Sequence, residues 1–180
     1  MFMISGGPGA GKTTLLAELH KLGYSTAPEV ARQIIQAQVK SGGDALPWAD
    51  KEAYIRLMLQ RSIESYLEHA TLPGPIFFDR GILDTLCYAR LIGLPDASEI
   101  EDACRTYRYA SQALLAPPWQ EIYATDEERK QDFAEAVRTY ENIAEVYAEY
   151  GYETVILPKT DPAARAEFVL QTINHAGRNL

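Results

Sequence analysis

Near the start of the chain, Gly6-Gly7-Pro8-Gly9-Ala10-Gly11-Lys12-Thr13 fits the pattern G-x-x-x-x-G-K-[ST] at every fixed position. The residue types follow from what such a loop does. Glycines let the backbone curl so that successive N–H groups point inward, a concave nest for an anion. A helix opening at the loop adds its unpaired N–H groups and the positive end of its dipole. Lys12 can then reach the β- and γ-phosphates of ATP, and the Thr13 hydroxyl can ligate Mg²⁺, with Thr14 next on the same turn. The apolar run Phe2-Met3-Ile4-Ser5 precedes the loop, and Leu15, Leu16, Leu19 and Leu22 follow at helical spacing. The motif therefore sits between a strand and a helix, the setting its chemistry requires.

Other candidate groups stand where further strands end. Asp79 closes the apolar run Ile76-Phe77-Phe78, and ligands bind at the carboxyl edge of a parallel sheet. A carboxylate there can hold Mg²⁺, or can equally cap the next helix. Arg80 can reach a transferred phosphoryl group or an anionic substrate, or sit as a surface residue paired with an acid. Glu29, in Ala27-Pro28-Glu29-Val30-Ala31-Arg32, can take a proton from an acceptor hydroxyl, with Arg32 binding an acceptor anion. The plainer reading is a first-turn acid favouring the helix dipole with Arg32 as its partner. Residues 125–130 carry Arg129 and Lys130 and read either as a lid closing cations over a triphosphate or as a solvated helix face. Pro158-Lys159, after the last apolar run, can pack on an adenine ring or form an ordinary turn.

The elements that must position these groups alternate. Strands are predicted at 2–5, 24–27, 76–78, 113–116 and 154–157, and helices at 12–22, 29–40, 50–70, 82–92, 98–110, 126–149 and 161–175. In the 50–70 helix, Ile55, Met58, Leu59, Ile63, Tyr66, Leu67 and Ala70 share a stripe. The 126–149 helix places Phe133, Val137, Tyr140, Ala144 and Tyr147 inward, with Thr125 or Asp126 as its cap. Such alternation calls for an α/β domain with a parallel sheet covered on both faces. One domain over residues 1–180 is expected from the length.

Bulk properties narrow the partners. A formal net charge of -8 argues against a nucleic-acid partner, since phosphate backbones are bound by clustered Lys and Arg. Cys87 and Cys104 have no metal-ligand spacing and read as half-buried thiols of a reducing cytoplasm. There is no secretory leader and no apolar stretch near the ~20 residues of a membrane helix, so a soluble cytoplasmic protein is expected. His20, His69 and His175 share no partner spacing.

With the glycine-rich loop, PEVAR, FFDRG, APPW, TDEER and the LPK turn in view, the chain resembles a family of small P-loop ATPase/kinase domains. That family includes the nicotinamide riboside kinase domain of a bifunctional NAD-biosynthesis regulator. The resemblance runs from Met1 to about Ile173. It implies a three-layer P-loop NTPase fold of the nucleotide-kinase kind, with a five-stranded parallel sheet of order 2-3-1-4-5. It also implies ATP on Gly6–Thr13, an acceptor near Glu29, Arg32 and Asp79, and a lid near Arg129. FFDRG is similar to the Asp-Arg element of thymidylate kinases. The expected function is transfer of the ATP γ-phosphoryl to a small-molecule acceptor, a nucleoside, nucleotide or similar compound. The alternative is an adenine-nucleotide-dependent switch or binding ATPase without an acceptor; a toxin-type kinase acting on a sugar nucleotide shares the same loop. A guanine-reading Asn-Lys-x-Asp segment is missing, which argues against a GTPase.

Overall fold

The computed structural model describes residues 1–123 and 132–176. Five strands, β1 (Phe2–Gly6), β2 (Ser25–Ala27), β3 (Ile76–Asp79), β4 (Gln112–Ala116) and β5 (Glu153–Ile156), form one sheet of order β2-β3-β1-β4-β5. Every pairing is parallel. The fold is the α/β class expected, with the expected strand order. Its helices are α1 (Lys12–Lys21), α2 (Val30–Ser41), α3 (Lys51–Ala70), α4 (Ile82–Leu91), α5 (Ser98–Thr106), α6 (Phe133–Glu149) and α7 (Pro162–Ala176). A short 3₁₀ turn spans Gln120–Ile122.

The central strands are apolar on both faces because helices cover both. Met3, Phe78 and Leu115 point into a core shared with α3, α4, α5 and α6. Their neighbours Ile4, Phe77 and Leu114 point the other way, onto α1 and α7. This period of two within three adjacent strands makes two buried layers. Ser5, Gly6 and Asp79 are thereby brought to one sheet edge, where Ile4 pairs with Asp79 and Gly6 with Ala116.

Several boundaries differ from the sequence reading. The 98–110 helix stops at Thr106, because Tyr107 and Tyr109 turn to pack on Tyr66, at 5.4 and 5.1 Å between ring centroids. Ala110 N then donates to the Met1 carbonyl, leading the chain into β4. Leu67 and Ala70 are exposed rather than part of the inward stripe. A helix as long as α3 runs about 30 Å, while strands of this length run about 17 Å, so its last turn passes the sheet. Leu22 caps α1 and is likewise exposed.

Within the described residues α6 starts at Phe133, where Asp132 and Glu135 cap each other's backbone N–H at 2.7 and 2.9 Å. The expected caps Thr125 and Asp126 lie outside the described residues. Its fully buried positions are Ala136, Ile143, Val146 and Tyr147; of the predicted stripe, Tyr147 is buried and Tyr140 and Ala144 pack against the same core, while Phe133 and Val137 are only partly buried. Cys87 and Cys104 are free and fully buried, not half-buried.

Candidate functional site

The loop between β1 and α1 is shaped by close approaches. Gly6 has φ +136° and lies so close to the Ala116 backbone that no Cβ fits. Gly11, at φ +75°, is the residue before α1, and a Cβ there would lie 2.8 Å from Arg165 Nη1. Lys12 is buried and folds back, its ammonium donating to the Gly7 carbonyl at 3.1 Å and the Gly6 carbonyl at 3.4 Å. Burial, reinforced by the Arg80 charge, lowers the Lys12 pKa to about 8. Thr13 and Thr14 are exposed at the start of α1, with Thr14 Oγ1 donating to the Gly11 carbonyl.

Asp79 ends β3 as expected and is 6% exposed. Its Oδ1 is buried without a hydrogen-bond partner. Burial pushes the carboxyl up to about 6; Lys12 and Arg80 oppose the shift, Glu29 and Asp84 add to it. It borders a cavity of about 20 Å³ shared with Ser62 and Ser65, space for about one water.

Arg80 is not a surface residue. Its Nε donates to Glu29 at 2.9 Å and its Nη1 to Asp84 at 3.2 Å. Burial works against its charge, yet the carboxylates of Glu29, Asp84 and Asp79 hold its pKa above the ordinary value. The backbone here adopts φ +69°, the only left-handed non-glycine among the described residues. Such a residue costs on the order of 1–2 kcal/mol, and the two ion pairs plus Arg80 N donating to the Ile4 carbonyl hold it.

Asp84 escaped the sequence reading. It lies 5% exposed in the first turn of α4. It accepts from Ser5 Oγ, from Tyr147 Oη at 2.7 Å, from Gly81 N at 2.8 Å and from Arg80. The signal was the spacing Asp79-Arg80-Gly81-x-x-Asp84: an acid three residues into a helix that starts at a glycine.

A cavity of about 580 Å³ opens beside the loop at Pro8 and Lys12. Glu29, Arg32 and Arg80 line it, so these predicted residues do converge. Asp79 is adjacent, on the smaller cavity. The far walls were missed: Trp48 and Lys51 before and in α3, Tyr54, Tyr88 on α4, and Thr139 and Asn142 on α6. Tyr54 and Tyr88 meet edge to face at 5.6 Å, and burial raises both phenols' pKa values. Asn142 Nδ2 donates to the Cys87 carbonyl at 2.8 Å, fixing α6 against α4. Pro158 is half-buried and Lys159 exposed in the turn after β5. Arg129 and Lys130 lie outside the described residues.

An AAA domain family profile matches residues 1–165. The chain belongs to that family. No curated protein sequence matches it. Among solved structures it is similar to deoxyadenosine kinase from M. mycoides with dCMP and dCDP bound, at TM-score 0.65 and 17% identity, covering 97% of this chain and 98% of that one. Thymidylate kinase from Ehrlichia chaffeensis follows at 0.62 and 14%, covering 96% and 97%. Shikimate kinase from Aquifex aeolicus aligns at 0.54 and 14%, over 98% and 97%. These likenesses establish a shared fold. Among the described residues, no helix is long and apolar enough to cross a membrane.

Proposed function

We propose that this AAA-family chain is a kinase that moves the γ-phosphoryl of ATP to a small acceptor of nucleoside or nucleotide size. The observation that carries the reading is the cavity running from Lys12 to Tyr88. Its volume of about 580 Å³ falls within the roughly 300–1,000 Å³ of small-molecule sites. A switch without an acceptor has no use for such a space beside its phosphate loop. Trp48, Tyr54 and Tyr88 offer faces and edges to a planar ring, while Arg32 and Lys51 suit an anionic or hydroxylated end. The deoxyadenosine and thymidylate kinases of the same fold lend support to a nucleoside or nucleotide acceptor.

In this reading the loop amides and Lys12 hold the β- and γ-phosphates. Its ammonium leaves the Gly6 and Gly7 carbonyls to do so. The donor set fits Mg²⁺: a hydroxyl at Thr13 and the unpartnered Oδ1 of Asp79, with phosphates and water completing a shell of oxygens. When bound, that ion neutralises phosphate charge. Glu29, which lines the cavity, takes the proton of the acceptor hydroxyl as the acceptor oxygen bonds to the γ-phosphorus and the bond to ADP breaks. Asp79 is the other carboxylate within the cluster. Arg80, fixed by Glu29 and Asp84, places positive charge beside the transferred group. Pro158 and Lys159 flank the adenine.

The test is ADP formation with Mg²⁺ and ATP, alone and with nucleosides, nucleoside monophosphates and nicotinamide riboside, against Lys12→Ala. One acceptor raising turnover well above background, with the variant silent, is the expected result. ATP binding with no acceptor response would overturn the kinase reading.

A further inference from the structure

Arg165 lies in the first turn of α7, which packs on the sheet face opposite α4 and α6 of the cavity wall. It is 2% exposed, among the largest fully buried side chains of the protein. Its Nη1 donates to the Ala10 carbonyl at 2.9 Å and approaches the Gly11 carbonyl at 3.5 Å. Its guanidinium carbon stands 5.8 Å from the centroid of the Trp119 ring. Nε and Nη2 are buried without partners, and no carboxylate pairs with the group among the described residues. Burial lowers its pKa, and no neighbouring acid opposes that shift. A cation in such a place is costly unless a counter-ion completes it.

The peptide geometry shows where the counter-ion belongs. In a trans peptide the C=O and the N–H point in opposite directions. The Ala10 carbonyl shares its peptide with the Gly11 N–H, and the Gly11 carbonyl shares its peptide with the Lys12 N–H. A guanidinium holding both carbonyls outward therefore turns both N–H groups toward the hollow of the loop. It also polarises them, since hydrogen bonds in series strengthen one another. Gly11 is needed here partly because Arg165 occupies the space a Cβ would fill.

We infer that Arg165 is a positioning residue for nucleotide phosphates: a buried, unpaired charge that orients the Gly11 and Lys12 amides and finds its counter-ion, through the loop, in the bound polyphosphate. The inference rests on the reading that the loop binds ATP. A structural brace and a phosphate-positioning charge differ in sign. Removing a brace weakens the empty protein. Removing an uncompensated charge leaves the empty protein as stable or makes it more so, and weakens only the complex.

The experiment is equilibrium binding of ATP, ADP and adenosine, with thermal melts of the free and ATP-bound protein, for the wild type, Arg165→Met and Arg165→Gln. Glutamine removes the charge and keeps a polar amide about where Nε stands, and it decides the matter should the methionine variant fail to fold. The expected result is a free protein that melts no lower than the wild type. ATP affinity falls roughly tenfold, the loss of one charge-assisted interaction; ADP affinity falls less, and adenosine affinity is unchanged. Equal ATP affinity in Arg165→Gln, or an equal loss for adenosine, overturns the inference while leaving the kinase reading in place. Both variants melting far below the wild type makes Arg165 a brace and also overturns it. A wild type that does not bind ATP removes both.

Discussion

The glycine-rich loop and the large cavity beside it meet at Lys12 but are built in opposite ways. The loop is one contiguous stretch between β1 and α1, and its working parts are backbone amides. Its shape depends on close backbone approaches such as Gly6 against Ala116. The cavity takes its walls from α2, α3, α4 and α6 and the segment before α3, from Glu29 to Ile143. Its working parts are side chains. In the proposed reading, a site made of local backbone geometry would bind the part every ATP shares. One made of dispersed side chains can be re-cut for a new acceptor without disturbing the loop. If this division is real, substitutions should fall on one side or the other, with Asp84 as the exception.

Asp84 links the two. It bonds Ser5 at the root of the loop, Arg80 in the cavity wall and Tyr147 on α6. Asp84→Ala leaves a buried guanidinium half-paired and three donors unsatisfied, and is expected to cost about 3–5 kcal/mol of stability. Urea denaturation checks it. Asp84→Asn, which keeps an acceptor oxygen, should cost less. A mild effect of the alanine variant would mean the two halves are held together elsewhere.

Lys12→Ala is the sharpest cut on the loop side. Phosphoryl transfer should fall roughly 10²–10³-fold, as when one preorganised charge donor is removed from a transition state. Stability should be unchanged or slightly raised, because burial already disfavours the Lys12 ammonium. Single-turnover kinetics and a melt separate the two effects. Acceptor binding measured without ATP should survive; its collapse would break the division.

The same contrast explains what the sequence made legible. A fixed-spacing motif and strand–helix alternation are local signals, so the loop, the strand order expected from the resemblance and the place of Asp79 were all foreseen. Glu29, Arg32 and Arg80 were found as residues near strand ends, but the Glu29–Arg80–Asp84 ion-pair cluster was not, since it joins α2 to α4 across the sheet edge. Trp48 precedes α3 in a stretch that reads as loop, and Tyr88 and Asn142 read as helix faces. Only packing brings them to one space. Arg165 sits in a helix whose composition says nothing of the loop it touches 155 positions away. The inward stripe of α6 was found in part: Tyr140, Ala144 and Tyr147 do meet the core, but Ala136, Ile143 and Val146 were not singled out, because the helix's apolar residues wrap widely.

Asp79 gives a pH test at the border between the halves. Its folded pKa of about 6 lies above the ordinary 3.8, so folding favours the protonated form. That stabilisation is complete below pH 3.8 and is lost as pH rises through 6. The free wild type, compared with Asp79→Asn, should therefore lose roughly 3 kcal/mol across those limits. With Mg²⁺ and ATP present the loss should shrink, because the ionised carboxylate then has a partner. A difference independent of pH would show that Asp79 is ionised throughout and would remove it as a tunable group.

Trp48→Ala is expected to give the smallest effect and the cleanest one for the acceptor side. The ring is 54% exposed at the cavity wall, so little core is lost with it. Stability should stay within about 0.5 kcal/mol, as for surface substitutions generally. If the indole lies on the acceptor, the acceptor KM should rise roughly tenfold, the scale of one lost aromatic contact, while the KM for ATP stays put. Trp48→Phe, which keeps a ring face, should recover most of that loss. Equal rises in both KM values would mean the cavity and the loop form one site rather than two, and the acceptor would then have to be sought from the loop outward.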